Sequence, residues 1–308
     1  MAVRKKKTSK SKTSDLKKSD SSKDKWIKCI SIGGNIHATA IQGTNLVSLA
    51  ASQHKYGALE SLALGESLLG SLLMASTCKE GERVSIVVRG NGLLRQAVAD
   101  ADPSGVARGF VVAGEGVLDD DSAPWQDGTL TVVRQKQHEK EPYTGTVPCL
   151  TGYFAKDLTY YLSQSEQIPS AVGIAVNIEQ TGEVLSAGAF LVQIMAGATD
   201  EEVKEVEKNI QKMKTFAAQI ADLVDPSALL GQIFSPMTFT IVENKELDLF
   251  CNCSKNRVKN AMYMVGEQEL KEMINVDHGA KVRCDFCGKE YVLSIGELEQ
   301  VMKDIKKQ

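Results

Sequence analysis

The residues best suited to chemistry in this chain are four cysteines near its C-terminus. They stand as two close pairs, Cys251-Asn252-Cys253 and Cys284-Asp285-Phe286-Cys287, with thirty residues between the pairs and Gly288 just after the second. Four thiolates at such spacing suit one tetrahedral Zn²⁺, which prefers sulfur donors and a closed shell where it serves structure. The two-residue gap of the second pair brings both sulfurs to one metal, and Gly288 permits the tight turn of a zinc knuckle. The first pair has a single intervening residue, shorter than the common gap. It still allows joint ligation, but it holds its sulfurs so close that a second chemistry is favoured, in which each pair closes on itself as a disulfide.

Zinc keeps its sulfurs deprotonated, and the thiolate is the oxidisable form. An oxidant that attacks one sulfur meets another two or three positions away, so Cys251–Cys253 and Cys284–Cys287 are the natural disulfides. Their formation removes the ligands. The surrounding module, residues 250–308, has few large apolar side chains, and domains so poor in core commonly need metal to fold. Oxidation should therefore release zinc and unfold the module, and the very short Cys251–Cys253 loop should be easily reduced again. Lys255, Arg257, Lys281, Arg283 and Lys289 lie near in sequence and are expected to offset the negative charge of four thiolates. His278 could compete as a ligand, but four cysteines already fill a tetrahedral shell.

The element that would respond to such a switch lies just upstream. Thr199 and Glu202 make a capping box, and Val203, Val206, Ile210, Met213, Ala217, Ile220 and Val224 follow at steps of three and four. The spacing predicts a helix over 199–224 with a narrow apolar seam and crowded Lys/Glu faces. A helix so charged gains most of its stability by docking that seam, so it reads as detachable. Asp225-Pro226 ends it and opens a shorter helix carrying Leu229, Leu230, Ile233 and Phe234. Phe239 to Val242 and Leu247 to Phe250 read as short strands leading to Cys251.

The 308 residues, 43% of them hydrophobic, can build a substantial core. Residues 1–25 carry ten Lys/Arg against three Asp, a net +7 that leaves −10 on the body from Trp26 onward. That tail is too poor in apolar side chains to fold and reads as disordered, with order beginning at Trp26. An acidic body argues against nucleic-acid binding through the main surface. Cys29, Cys78 and Cys149 stand apart and are expected to be small buried hydrophobes. Their odd total with the metal-like spacing elsewhere implies a reducing compartment, and without a secretory h-region cytoplasm is the default.

Between Trp26 and 197 the pattern is α+β. Lys28–Ile32 and Ile36–Ile41 alternate around Gly33-Gly34-Asn35, a hairpin signal. A buried core helix, too interrupted by Glu and Ser to be a membrane span, is predicted over 58–76. Strands are predicted at 84–88, 93–98, 106–112, 129–133, 171–178 and 189–195, with a two-residue turn at Asn91-Gly92 and a helix over 157–164. Asp119-Asp120-Asp121 reads as a solvated loop. No catalytic motif is present, and His37, His54 and His138 have no partner spacing, so the chain reads as a non-enzyme. The expected organisation is a basic tail 1–25, an α+β core 26–197 of mixed or antiparallel sheet with flanking helices, a helical linker 198–249 and a small zinc-binding domain 250–308.

From Trp26 to the end the chain resembles the heat shock protein 33 family of 33 kDa chaperonins. The resemblance rests on the cysteine arrangement, on Ser104–Gly109, Tyr143-Thr144-Gly145 and Ser163–Pro169, and on Ala187–Gln193, Phe250–Cys253 and Cys284–Tyr291. The Lys/Ser tail departs from the pattern. The resemblance implies a redox-regulated, ATP-independent holdase. Its reduced, zinc-bound monomer is inactive or weakly active; hypochlorous acid, or peroxide with heat, forms the two disulfides and expels zinc; the linker at 198–249 unfolds and exposes apolar surface. The oxidised form dimerises and holds unfolding or oxidatively damaged client proteins until a thiol reductant resets it. Cys251, Cys253, Cys284 and Cys287 carry over as zinc ligands and disulfide partners. Two other classes compete: a nucleic-acid-binding zinc ribbon, favoured only by the basic tail, and a thiol-disulfide oxidoreductase, disfavoured because its Cys-x-x-Cys would sit between two short strands and not open a helix.

Overall fold

The computed structural model describes residues 23–115, 123–136, 139, 141–213 and 216–305. The tail up to residue 22, Asp119-Asp120-Asp121 and His138 lie outside the described residues. The chain builds two antiparallel-dominated sheets around a helical layer, and a mixed α+β architecture results.

The expected first hairpin forms: β1 (Lys25–Ser31) pairs antiparallel with β2 (Ile36–Gln42). Order starts slightly earlier than Trp26. Lys25 opens β1, and Asp24 is buried, its carboxylate accepting from the Leu46 N–H at 2.6 Å and the Asn45 side chain at 2.9 Å. Asp24 thereby caps α1 (Thr44–His54), whose own N-cap, Gly43, has no side chain to do so. Without a local cap the helix was not legible in the sequence.

Helix α2 (Ala58–Ala75) lies between the two sheets. By length and composition it could cross a membrane, yet 72% of it is buried within the fold. It is apolar nearly all round because neighbours surround it on every side. Small residues let those neighbours approach: a Cβ on Gly65 would stand 2.8 Å from Val47, and one on Gly70 2.5 Å from the Phe154 ring.

One sheet has the order β11-β5-β4-β3-β6-β7, formed by β3 (Arg83–Arg89), β4 (Leu94–Ala101), β5 (Val106–Ala113), β6 (Thr129–Gln135), β7 (Tyr143–Pro148) and the short β11 (Asp248–Leu249). The β3–β4 connection is a four-residue loop, Gly90 to Leu93, closed by Gly90 N–H on Arg95 O; the expected two-residue Asn-Gly turn does not form. Helix α3 (Phe154–Gln164) covers the β7 end. The other sheet has the order β10-β1-β2-β9-β8, with β8 (Ser170–Ile178), β9 (Val184–Ile194) and β10 (Phe239–Glu246). Its strands β2 and β9 are buried on both faces, so they read as near-continuous runs of small and apolar residues.

The reason for that double burial is the helical segment after β9. The predicted single helix over 199–224 is two: α4 (Asp200–Lys212), opened by the full Thr199/Glu202 capping box, and α5 (Phe216–Ala221). After them comes α6 (Pro226–Phe234), capped by Asp225, which also binds Lys25 Nζ at 2.6 Å. Val206, Met213, Ile220, Leu229, Leu230, Ile233 and Phe234 form one core with Ile27, Cys29, Ile36, Phe190 and Val192 of the sheet. The seam is incomplete at its end, where Ala217 and Val224 are exposed. Asn209, buried in α4, donates to the carbonyls of Ile233 at 3.1 Å and Ser235 at 2.5 Å, tying α4 to the end of α6.

The stretch expected as one linker therefore divides in two. Its helices lie on a sheet face, whereas its strands are woven into the body. β10 runs eight residues along β1, and β11 pairs in parallel with β5 and hands the chain to Cys251. Glu243, Lys245 and Glu246 keep this edge strand charged, which blunts edge-to-edge pairing.

The C-terminal module contains α7 (Lys255–Met262), α8 (Glu267–Asn275), the hairpin β12 (Ala280–Arg283) and β13 (Glu290–Leu293), and α9 (Ile295–Ile305). Its core is small: Met262, Leu270, Ile274, Leu293, Leu298 and Val301.

Candidate metal centre

Two turns deliver the four sulfurs. Cys251 and Cys253 follow β11 directly, and Ser254 then caps α7 by accepting from Arg257 N–H. Cys284 and Cys287 sit on the β12–β13 loop. There Cys284 N–H donates to Lys289 O at 2.9 Å and Gly288 N–H to Cys284 O at 2.8 Å. Gly288 has φ +68, the left-handed region that a side chain would oppose, so the glycine after the knuckle is required by its turn. His278 is in the left-handed region of another turn and is not in the cluster.

The structure brings all four predicted cysteines together. Their sulfurs lie within 4.8 Å of one another, with Cys251 to Cys284 at 3.7 Å and Cys253 to Cys287 at 3.4 Å. A tetrahedral ZnS₄ shell needs sulfurs about 3.8 Å apart, so the donor set fits such an ion. All four are free thiols, part-buried. Their proton affinities diverge. Burial opposes ionisation of Cys253, but hydrogen bonds from Tyr291 and the neighbouring cysteines outweigh it and hold this thiol down at about 7. Burial and the hydrogen bonds with Cys253 and Cys284 push Cys287 up to about 12, and burial raises Cys284 as well. Four thiols in contact thus share one negative charge readily and resist more; a divalent cation would supply the missing positive charge.

Only some of the cations the sequence implied stand at the cluster. Lys255 is paired with Glu297 at 2.9 Å and Lys281 with Glu290 at 2.8 Å. Arg108, 143 positions before Cys251, comes from β5 instead. Its Nη1 donates to Asn252 Oδ1 at 3.2 Å, and Arg257 donates to the same oxygen. Arg108 is itself fixed by Asp100, with Nε and Nη2 on one carboxylate oxygen at 2.9 and 2.7 Å. Tyr291 O–H donates to Cys253 Sγ at 3.0 Å.

The knuckle also touches the body. Phe286, between the two cysteines of the loop, packs edge-on against Phe110 of β5, centroids 5.1 Å apart at 88°, with the Arg108 guanidinium 4.0 Å over its ring. Its carbonyl lies 3.2 Å from His54 Nε2 at the end of α1. These partners were missed because no local signal links residues so far apart. Cys29 and Cys149 are buried as expected; Cys78 is only half-buried, and Arg134 Nη1 lies 3.0 Å from its sulfur. His37 lies outside the four-thiol cluster.

A two-sheet α+β body, capped by helices and joined to a small module with four clustered thiols, defines a protein class with a cysteine cluster that could hold a metal ion. The family model for the Hsp33 protein matches residues 24–294. The chain is 37% identical to the 33 kDa chaperonin of Geobacter sulfurreducens over 285 residues, covering 90% of this chain and 94% of that one. It is 32% identical to that of Limosilactobacillus fermentum, covering 91% and 98%. The crystal structure of the Thermotoga maritima 33 kDa chaperonin, described as a heat shock protein 33 homolog, superposes with a TM-score of 0.83 at 29% identity, covering 93% of this chain and 99% of that one. The chain belongs to the Hsp33 family of chaperones. Family membership implies binding to unfolded client proteins, and the relatives bear the names of chaperonins, not of enzymes.

Proposed function

We propose that this protein is a redox-regulated, ATP-independent holdase of the cytoplasm. In the reduced state Cys251, Cys253, Cys284 and Cys287 hold one Zn²⁺, which keeps the sulfurs as thiolates and closes the C-terminal module. Hypochlorous acid removes two electrons from each cysteine pair. One S–S bond forms, within Cys251–Cys253 or Cys284–Cys287, and chloride and water leave. Both disulfides together remove all four donors, so the metal is lost and the module, with its small core, loses its fold. The helices at 200–234 then leave the sheet, and the apolar face of β1, β2 and β9 binds clients. The oxidised chains dimerise, and a thiol reductant restores the dithiols.

The observation that carries this reading is the close approach of four thiols at 3.4–4.8 Å in a module with so little core of its own. The charged helices over the second sheet support it, because they cover a face rich in apolar residues. The test is zinc content and suppression of citrate synthase aggregation on one sample, before and after hypochlorous acid, without ATP. About one zinc per chain lost, with suppression gained and then reversed by a thiol reductant, is the expected result. Zinc retained, or lost with no gain in client holding, would mean a structural clip; salt-sensitive RNA or DNA binding would then be the reading to pursue.

A further inference from the structure

Phe286 of the Cys284–Cys287 turn packs its ring on the body. The side chain sits in a cradle, two walls of which are each held by a second residue. Arg108, over one ring face, is fixed by its two bonds to Asp100. Phe110 meets the ring edge-on at 5.1 Å. His54, which faces the Phe286 carbonyl, is stacked on Tyr56 at 4.8 Å, and Tyr56 O–H both donates to Val111 O at 2.7 Å and accepts from Val111 N–H at 2.9 Å. The cradle is therefore built from β4, β5 and α1 without help from the module. The same Arg108 reaches Asn252, the residue between the other two cysteines. One core guanidinium thus touches both cysteine turns.

We propose that Phe286 is a latch through which the body holds the metal module closed, and that Arg108 and Phe110 are positioning residues for the four-thiol site. This rests on the reading of the four cysteines as zinc ligands. Ligation fixes the Cys284–Cys287 turn and so presents Phe286 to the cradle. Coupling between two equilibria is reciprocal: if ligation favours docking by some factor, docking retains the ion by the same factor. An edge-to-face aromatic pair and a guanidinium over a ring together set that factor at about tenfold. The body of the protein thereby sets how readily the switch opens.

The test uses the full-length, reduced, zinc-loaded chain and follows zinc transfer to the chromogenic chelator 4-(2-pyridylazo)resorcinol. Phe110→Ala and Arg108→Ala, which leave every module residue in place, should each release zinc about two- to fivefold faster at unchanged initial zinc content. Phe286→Ala, which removes both contacts, should release it about tenfold faster, and Phe110→Ala/Phe286→Ala should be no faster than Phe286→Ala alone. Phe286→Tyr should restore the slow rate. Val87→Ala, on the same sheet face but two strands from Phe110, controls for general loosening and should release at the wild-type rate. Wild-type release from the Phe110 and Arg108 variants, or additive effects in the double variant, would overturn the latch while leaving the metal site intact. A wild-type chain that holds no zinc would overturn the metal reading and the latch with it.

Discussion

Ile220→Ala tests whether the helices at 200–234 gate the client-binding surface of the proposed holdase. Ile220 is 2% exposed and rests on the bare backbone of β9: a Cβ on Gly188 would stand 2.7 Å from its Cδ1. Truncating a buried isoleucine to alanine costs roughly 2–5 kcal/mol, and about 3 kcal/mol is reasonable where the neighbours are a rigid sheet. If the covering helices open as a local unit, as the proposed function requires, most of that loss falls on their opening equilibrium. If opening costs about 5 kcal/mol, roughly one molecule in 5,000 is open; at about 2 kcal/mol, roughly 3% are. Amide exchange across α4, α5 and α6 should therefore accelerate about a hundredfold while α2 keeps its protection. The reduced variant should suppress citrate synthase aggregation without any oxidant, with zinc still bound. Accelerated exchange in those helices with no client holding would refute the idea that they gate the surface. Unchanged exchange would refute the packing argument itself.

Three further outcomes follow from the same structure. Cys284→Ser should lose zinc and raise amide exchange throughout residues 255–305, because the six-residue core of the module cannot stand alone; a variant that keeps full zinc content removes Cys284 from the ligand set. Asn209→Ala strands two carbonyls at the end of α6 and should destabilise the covering helices by about 1–3 kcal/mol, read as a lower hypochlorous acid dose for activation; an unchanged dose would argue that this tie plays no part in opening. Burial pushes the Glu66 carboxyl on α2 from 4.5 up to about 7. The folded protein thus holds this proton more tightly than the unfolded chain, and stability is lost as pH rises from about 4.5 through about 7. Glu66→Gln should accordingly raise stability by about 2 kcal/mol at pH 8 and leave it unchanged at pH 4, measured by denaturant midpoints; equal effects at both pH values would exclude titration as the cause.

Most local signals in the sequence hold where the physics is local, the Asn91-Gly92 turn being the exception. The Thr199/Glu202 capping box, the Asp225-Pro226 helix start, the knuckle glycine and the paired cysteines each act within five residues, so residue type and spacing specify them. Helix α1 has no local signal because its cap, Asp24, comes from just before β1, about twenty residues upstream. The 199–224 seam predicts one helix, but the burial of Met213, just beyond the end of α4, belongs to a break between two, each seated separately on the sheet. The strands after Phe234 looked like a short approach to the cysteines. They pair with β1 and β5, more than 140 positions earlier, and a partner so distant leaves no trace in local periodicity.

The sequence by itself determined the chemistry of this protein: four sulfurs at spacings that let them meet, and a charged helical segment with an apolar stripe. It could do so because ligation and amphipathicity depend on neighbours along the chain. The tertiary structure alone decided what that chemistry is connected to. It placed Arg108 and Phe110 of β5 and His54 of α1 against the Phe286 turn, and it laid the charged helices over the face of β1, β2 and β9. Those contacts join residues separated by up to 232 positions, and only the path of the chain through two sheets brings them within bonding distance.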